Sequence, residues 1–334
     1  MFLRAIYDVP APAKLNLFLH IVGRRADGYH LLQSVFVLID WADRLQFEIR
    51  HDGALHRHDE GAAMPAEDLC LRAARALQAE SQCTKGVDIT LGKHLPWGAG
   101  MGGGSSDAAS TLLALNRLWG LHWPRSRLAE LGLGLGADVP FFIGGQNAIV
   151  QGIGELLHPV DLPLSRYMVL KPAASISTAE IFGHPRWVHD TPAVDLQSIQ
   201  AAILTGCLDG RAIEQHQPGV AAAGSTPTAE FGNEFKNDLQ APAQDRCVQV
   251  GEAARLLSQT FGNSRMTGSG SAVFAALGPL TASKSSQAEQ EFGAGKLPGS
   301  ASPEVALQAF QPPADWVWRE CVSLAFHPLK DWAD

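Results

Sequence analysis

Along residues 14–21 apolar and polar side chains alternate. Leu15, Leu17, Leu19 and Ile21 fall on one face of an extended strand, and Lys14, Asn16, Phe18 and His20 on the other. The pattern predicts a half-buried strand with Lys14 beside Asn16. A turn-rich polar stretch at 23–30 separates it from two further strand-like runs, 31–39 and 44–50. Residues 51–64 are polar and read as a connection. Leu69, Leu71, Ala73, Ala74 and Leu77 then recur at helical spacing behind Glu67 and Asp68, acids that suit the positive end of a helix dipole. After a strand predicted at 86–91, the clearest helix covers 105–119. Ala108, Leu112, Leu115 and Trp119 form its stripe and Gly120 its stop. A shorter helix is predicted at 124–133, strands at 147–151, 167–170, 271–277 and 316–324, and a helix at 246–259. The alternation is too irregular for repeated βαβ units.

The chain has 334 residues, about twice the ~150-residue prior for one domain. A composition shift at Leu162, Pro163 and Leu164 predicts a boundary dividing 1–163 from 164–334. Stretches 217–228 and 281–313, dominated by small and polar residues with Pro, read as surface insertions. Within the second, Ser302, Pro303 and Glu304 ahead of Val305, Leu307 and Phe310 predict a short capped helix.

Composition narrows the function classes. Hydrophobic residues make up 46% and charged residues 18%, below the ~25% charged share of soluble domains, which excludes general disorder. Lys and Arg total 26 against 34 Asp and Glu, for a net charge of -8. That is the wrong sign for a general nucleic-acid or anionic-membrane binder. An anionic ligand must therefore be held locally, with Lys14, Lys93 and backbone amides as the expected positive sources. The apolar stretch 15–22 is too short for a span of ~20 residues, no small-residue cleavage site follows it, and the five cysteines form no C-x-x-C pair. A soluble, cytoplasmic protein is expected. His51, His56 and His58 lack the carboxylate or cysteine spacing of a metal site.

The most informative run is Pro96, Trp97, Gly98, Ala99, Gly100, Met101, Gly102, Gly103, Gly104, Ser105 and Ser106, leading straight into the predicted helix. Glycines let successive N–H groups converge on an anion, and the helix terminus adds its partial positive charge. The run has the makings of a phosphate cradle. Ser105, Ser106 and Asp107 also suit helix caps. The lysine of a P-loop NTPase is missing, the dinucleotide fingerprint lacks its strand-end acid, and no H-R-D or D-F-G follows as in protein kinases. The closing glycine of a serine-hydrolase elbow is absent as well.

Three separated segments, Pro12-Ala-Lys14-Leu-Asn16, residues 96–106 and Met266-Thr-Gly268-Ser269-Gly270, resemble the three motifs of the GHMP small-molecule kinases. Within that superfamily, Arg25-Ala-Asp27-Gly28-Tyr29-His30 and Gly136-Ala-Asp138-Val-Pro140 resemble the family of kinases acting on 4-diphosphocytidyl-2-C-methyl-D-erythritol. The resemblance implies a two-domain α+β fold with the active site in the cleft between domains. It also implies transfer of phosphate from ATP, with Mg²⁺, to the 2-hydroxyl of that cytidine diphosphate methylerythritol, a small-molecule substrate.

By the same resemblance Asp138 takes or orients the acceptor proton and Lys14 steadies the moving charge. Residues 96–106, with Lys93 and Asp68, hold ATP, and Ser106 is the candidate metal contact. Asn16, Tyr29, His30, Thr178, Phe182, Gly268, Ser269 and Gly270 bind the acceptor. Asp68 stands where the family usually carries Asn near the adenine, and an acid there accepts but cannot donate. Another GHMP kinase acting on a different alcohol, or a silent nucleotide binder, are the alternatives.

Overall fold

Two long strands carry the first part of the chain. In the computed structural model β1 (Ala5–Arg24) and β2 (His30–Arg50) run antiparallel, so the two strand-like runs at 31–39 and 44–50 are one strand. The residues described are 3–61, 64–65, 68–184, 190–206, 208, 235–280 and 303–333. Bulges shift the β1 register, one of them between Pro12 and Lys14, where a strand can re-aim its side chains.

Contrary to the half-buried expectation, β1 is enclosed on both faces: Leu15 and Ile21 are fully buried, and so are Asn16, Phe18 and His20. The reason is that β1 lies between two layers. Val9 and Ala11 pack with the helices of the first layer, whereas Leu15, Leu17 and Phe18 join Tyr167, Val169 and Phe274, farther along the chain.

The polar run at 51–64 holds an unexpected strand, β3 (Leu55–Glu60), parallel to β4 (Gly86–Gly92). An edge position tolerates such polarity, because one side of the strand faces no neighbour. α1 (Leu69–Ser81) starts where the Asp68 carboxylate accepts from the Leu71 amide at 3.0 Å. α2 (Gly103–Trp119), α3 (Arg125–Leu133), α4 (Val139–Gly144), β5 (Ala148–Gln151) and β6 (Leu156–Pro159) follow. The first sheet has the order β3-β4-β2-β5-β6 with β1 also on β2.

β7 (Ser165–Lys171) opens a second sheet. After α5 (Thr178–Phe182), α6 (Leu196–Leu204), α7 (Gln240–Arg246) and α8 (Val248–Phe261) come β8 (Arg265–Met266), β9 (Val273–Pro279), α9 (Pro303–Ala309) and β10 (Val317–Val322). Its order is β10-β7-β9-β8, antiparallel throughout. The short helix foreseen in the second insertion is α9. Residues 217–228 and 281–302 lie outside the described residues. Past β10 the chain returns to the first layer and buries Leu329 there. Among the described residues no helix is long and apolar enough to cross a membrane.

Candidate active site

The glycine run leaves β4 and enters α2 through three left-handed turns, with φ of +64° at Gly98, +79° at Gly100 and +72° at Gly102. Side chains disfavour that region, so glycine is the natural occupant. Gly102 sits at the N-cap position and no side chain caps α2, which leaves the positive end of a 17-residue helix open. Two of the three residues expected as caps, Ser106 and Asp107, are engaged elsewhere. Ser106 Oγ donates to the Pro12 carbonyl at 2.7 Å and Asp107 accepts from Lys93 at 2.6 Å.

A second glycine loop, 266–272, lies backbone against backbone on the first. The Ser271 amide donates to the Gly98 carbonyl at 3.0 Å and the Ala272 amide to the Ala99 carbonyl at 3.2 Å. A Cβ at Gly268 would fall 2.3 Å from the Gly100 carbonyl oxygen, and one at Gly270 would fall 2.1 Å from the Gly100 nitrogen. Gly270 therefore serves the contact between loops. It lines neither cavity, unlike Gly268 and Ser269.

Two cavities meet over this loop. One of about 430 Å³ is walled by all of 96–105 together with Met64, Pro65, Asp68 and Lys93. The other, about 580 Å³, takes in Lys14, Asn16, Tyr29, His30, Asp138 and Phe182. Gly100 and Gly102 line both.

At the junction Lys14 Nζ lies 3.5 Å from Asp138 Oδ2, with side chains 4% and 29% exposed. Lys14 Nζ also donates to Asn16 Oδ1 at 2.5 Å and sits 4.3 Å above the Phe36 ring. The Asn16 amide is oriented in turn, its nitrogen donating to Ser34 Oγ at 3.0 Å, while the Ser34 hydroxyl donates to the Phe18 carbonyl. Thr267 Oγ1 accepts from the Asn16 backbone amide at 2.9 Å. Asn16 is fully buried, so it positions Lys14 as well as lining the cavity. Burial pushes the Lys14 pKa below the ordinary lysine value, while the Asp138 carboxylate pulls the other way. Asp138 heads α4 but makes no capping bond, which leaves its carboxylate to Lys14 and the cavity.

Other expected residues are placed differently from their reading. Lys93 Nζ bridges Asp43 at 2.5 Å and Asp107 at 2.6 Å. Its charge is matched within this buried cluster, with the Asp43 carboxylate as counter-ion, and adds no net positive potential to the cavity it lines. Burial, with the Asp43 charge and against the pull of Lys93, raises the Asp107 pKa to about 8. Asp68 is committed to the α1 cap and to Arg57 Nη1 at 3.1 Å, and Arg57 also pairs with Asp59 at 2.7 Å.

Ser106 is fully buried and lines neither cavity, so the expected metal contact is not supported; Ser105 lines the wall instead. Trp97 is 55% exposed at the cavity wall. His30 and Phe182 stack with parallel rings, their centroids 4.8 Å apart, and Tyr29 stands 61% exposed beside them. Thr178 begins α5, but its side chain lies outside the described residues. Asp43 and Arg57 escaped the sequence reading, and Ser34 and Thr267 were assigned no role in it.

Residues 68–146 match the GHMP kinases N terminal domain family. A 4-diphosphocytidyl-2-C-methyl-D-erythritol kinase of Methylibium petroleiphilum is 53% identical over 334 residues, covering 100% of both chains. The chain belongs to the 4-diphosphocytidyl-2-C-methyl-D-erythritol kinase family. Another member, from Variovorax paradoxus, is 49% identical over 99% of this chain and 100% of its own. A crystal structure of 4-(cytidine 5'-diphospho)-2C-methyl-D-erythritol kinase superposes with a TM-score of 0.63 at 34% identity, covering 81% of this chain and 88% of that one. A mevalonate kinase from L. major, 15% identical, shares the fold at a TM-score of 0.59 over 97% and 98% of the two chains. The two sheets thus form the two-domain α+β fold of the GHMP kinases.

Proposed function

We propose that this kinase transfers the terminal phosphoryl group of ATP to the 2-hydroxyl of 4-diphosphocytidyl-2-C-methyl-D-erythritol. The products are the 2-phosphate and ADP, in the non-mevalonate route to isoprenoid precursors. The observation that carries the reading is the 3.5 Å contact of Lys14 with Asp138, formed where an acceptor-sized cavity meets a glycine-walled one.

Phosphoryl transfer asks chiefly for positioning and charge neutralisation. In this reading Asp138 accepts the proton of the acceptor hydroxyl, and Lys14 keeps that carboxylate ionised and balances negative charge at the junction. Asn16 holds the ammonium in place from behind. Tyr29, His30 and Phe182 offer aromatic faces to the cytosine, in a cavity of about 580 Å³ that falls within the ~300–1,000 Å³ usual for small-molecule sites. Residues 96–105 and the open end of α2 hold the nucleotide phosphates. When bound there, ATP would supply the phosphoryl group and Mg²⁺ would neutralise charge on its phosphates.

Among the described residues no cluster of three His, Cys, Asp or Glu side chains suits a metal. In this reading Mg²⁺ would be held mainly by the phosphates of the nucleotide. The division at 163 and 164, a cytoplasmic location and the absence of nucleic-acid or membrane partners belong to the same reading.

The test is ADP release with Mg²⁺-ATP and the cytidine acceptor, beside mevalonate, homoserine and galactose. Release with the cytidine compound alone is the expected result. Release with another alcohol overturns the substrate, and nucleotide binding without release from any acceptor overturns the kinase reading.

A further inference from the structure

Lys171 ends β7 and is 5% exposed. Its three donors go to neutral oxygens: the Pro172 carbonyl at 2.7 Å, the Ala174 carbonyl at 2.9 Å and Ser175 Oγ at 3.3 Å. Burying a cation against uncharged acceptors is costly, and burial pushes its pKa below the ordinary lysine value. What the ammonium gains is order, since it gathers residues 172–175 around itself. The Ala174 amide is tied from the other side to Gln249 Oε1 of α8 at 2.9 Å.

This strap meets the glycine run. Ser175 Oγ, having accepted from Lys171, donates to the Trp97 carbonyl at 3.4 Å. A Cβ on Gly98 would fall 3.1 Å from both Ser175 Cβ and Ser175 Oγ. The carbonyl of Gly98 accepts from the Ser271 amide at 3.0 Å. The Trp97–Gly98 edge of the run is thus held by the 172–175 strap and by the 266–272 loop, and a buried charge organises the strap. Lys171 lines neither cavity.

We propose that Lys171 is a positioning residue for the nucleotide, acting through Ser175 to hold the Trp97–Gly98 edge of the 430 Å³ cavity in its binding shape. The inference rests on the reading of that cavity as the ATP site. Because Lys171 acts through a hydroxyl, its effect and that of Ser175 are not independent.

The experiment measures binding of a non-hydrolysable ATP analogue to the full chain by calorimetry, with KM for ATP and for the acceptor determined alongside. The variants are Lys171→Met, Lys171→Arg, Ser175→Ala and the Lys171→Met/Ser175→Ala pair, each checked for folding by circular dichroism. Lys171→Met is expected to weaken analogue binding about tenfold and Ser175→Ala a few-fold, the scale of one charge-assisted hydrogen bond. The double variant should match Lys171→Met within about twofold, Lys171→Arg should recover most of the affinity, and KM for the acceptor should stay unchanged throughout.

If Lys171→Met does not fold, Ser175→Ala decides alone. Analogue binding by folded variants equal to that of the parent chain overturns the inference, and so do losses that multiply in the double variant. A parent chain that binds no analogue overturns the ATP reading, and this inference with it.

Discussion

Replacing Gly100 with alanine probes the seam on which both cavities depend. The added Cβ would fall 2.3 Å from the Thr267 carbonyl oxygen and 2.7 Å from the Gly270 nitrogen. Both are backbone atoms that cannot swing aside. An ordinary carbon–oxygen contact is about 1 Å longer, so the two glycine loops must part by about that much. Parting strains the Ser271–Gly98 and Ala272–Ala99 hydrogen bonds, worth about 1 kcal/mol each. The φ of +79° adds about 1–2 kcal/mol for a residue with a side chain. The sum is about 3–4 kcal/mol. Gly262 supplies the control, because it has nearly the same φ, +78°, and no atom within 4 Å of the added carbon. Gly262→Ala should cost only the φ strain, about 1–2 kcal/mol, and leave turnover intact. Urea denaturation and ADP release measured on both variants separate the two contributions. Gly100→Ala is expected to lose turnover by about 100-fold or more, as a misplacement near 1 Å does. Equal stability losses with turnover within twofold of the parent would refute the reasoning.

Two further substitutions test buried titratable groups. Lys14 has a pKa lowered by burial, so its contribution to stability is present above the unfolded value near 10.5 and lost as pH falls through the folded one. Lys14→Met is therefore expected to reduce the loss of stability on acidification while cutting turnover by about 100-fold or more; an unchanged pH dependence in urea denaturation would contradict the assignment. His327 is buried, and burial first, then the Arg125 charge, pushes its pKa down to about 3 from 6.5. The folded state thus resists a proton that the unfolded chain accepts, and stability falls with pH below 6.5 by about 1.4 kcal/mol per unit. His327→Gln should flatten that acid limb in denaturation curves taken at pH 7, 6, 5 and 4, and an unchanged slope would rule the histidine out as its source.

The parts of the fold that announced themselves in the sequence are those with local causes. Alternation along 14–21 marked β1, five glycines before an apolar stripe marked the loop into α2, and Gly120 marked its end. β3 was hidden because an edge strand carrying Arg57 and Asp59 shows no apolar face, and its stability comes from pairing with β4 and from that ion pair. The burial of the polar face of β1 depended on a second sheet contributed by residues beyond 160, which no local pattern near Lys14 encodes. The same limit applies to the site. Lys14 and Asp138 could be named from motifs, but their approach is set by α4 and the β1 bulge, and the Asn16–Ser34 and Asp43–Lys93–Asp107 contacts exist only once distant strands meet. Composition led to the expectation of locally concentrated positive charge, yet Lys93 is matched within its own cluster and Lys14 is paired with Asp138, which leaves the amides at the head of α2 as the unmatched positive end.

The most direct test of the central claim is single-turnover phosphoryl transfer by Asp138→Asn, with binding of the ATP analogue measured on the same preparation. Asparagine keeps the shape and loses the basicity, and general-base removal costs ~10²–10⁴ in rate. The account predicts a loss of that size with analogue affinity within about threefold of the parent. Transfer at the parent rate by a folded, nucleotide-binding Asp138→Asn chain would contradict it.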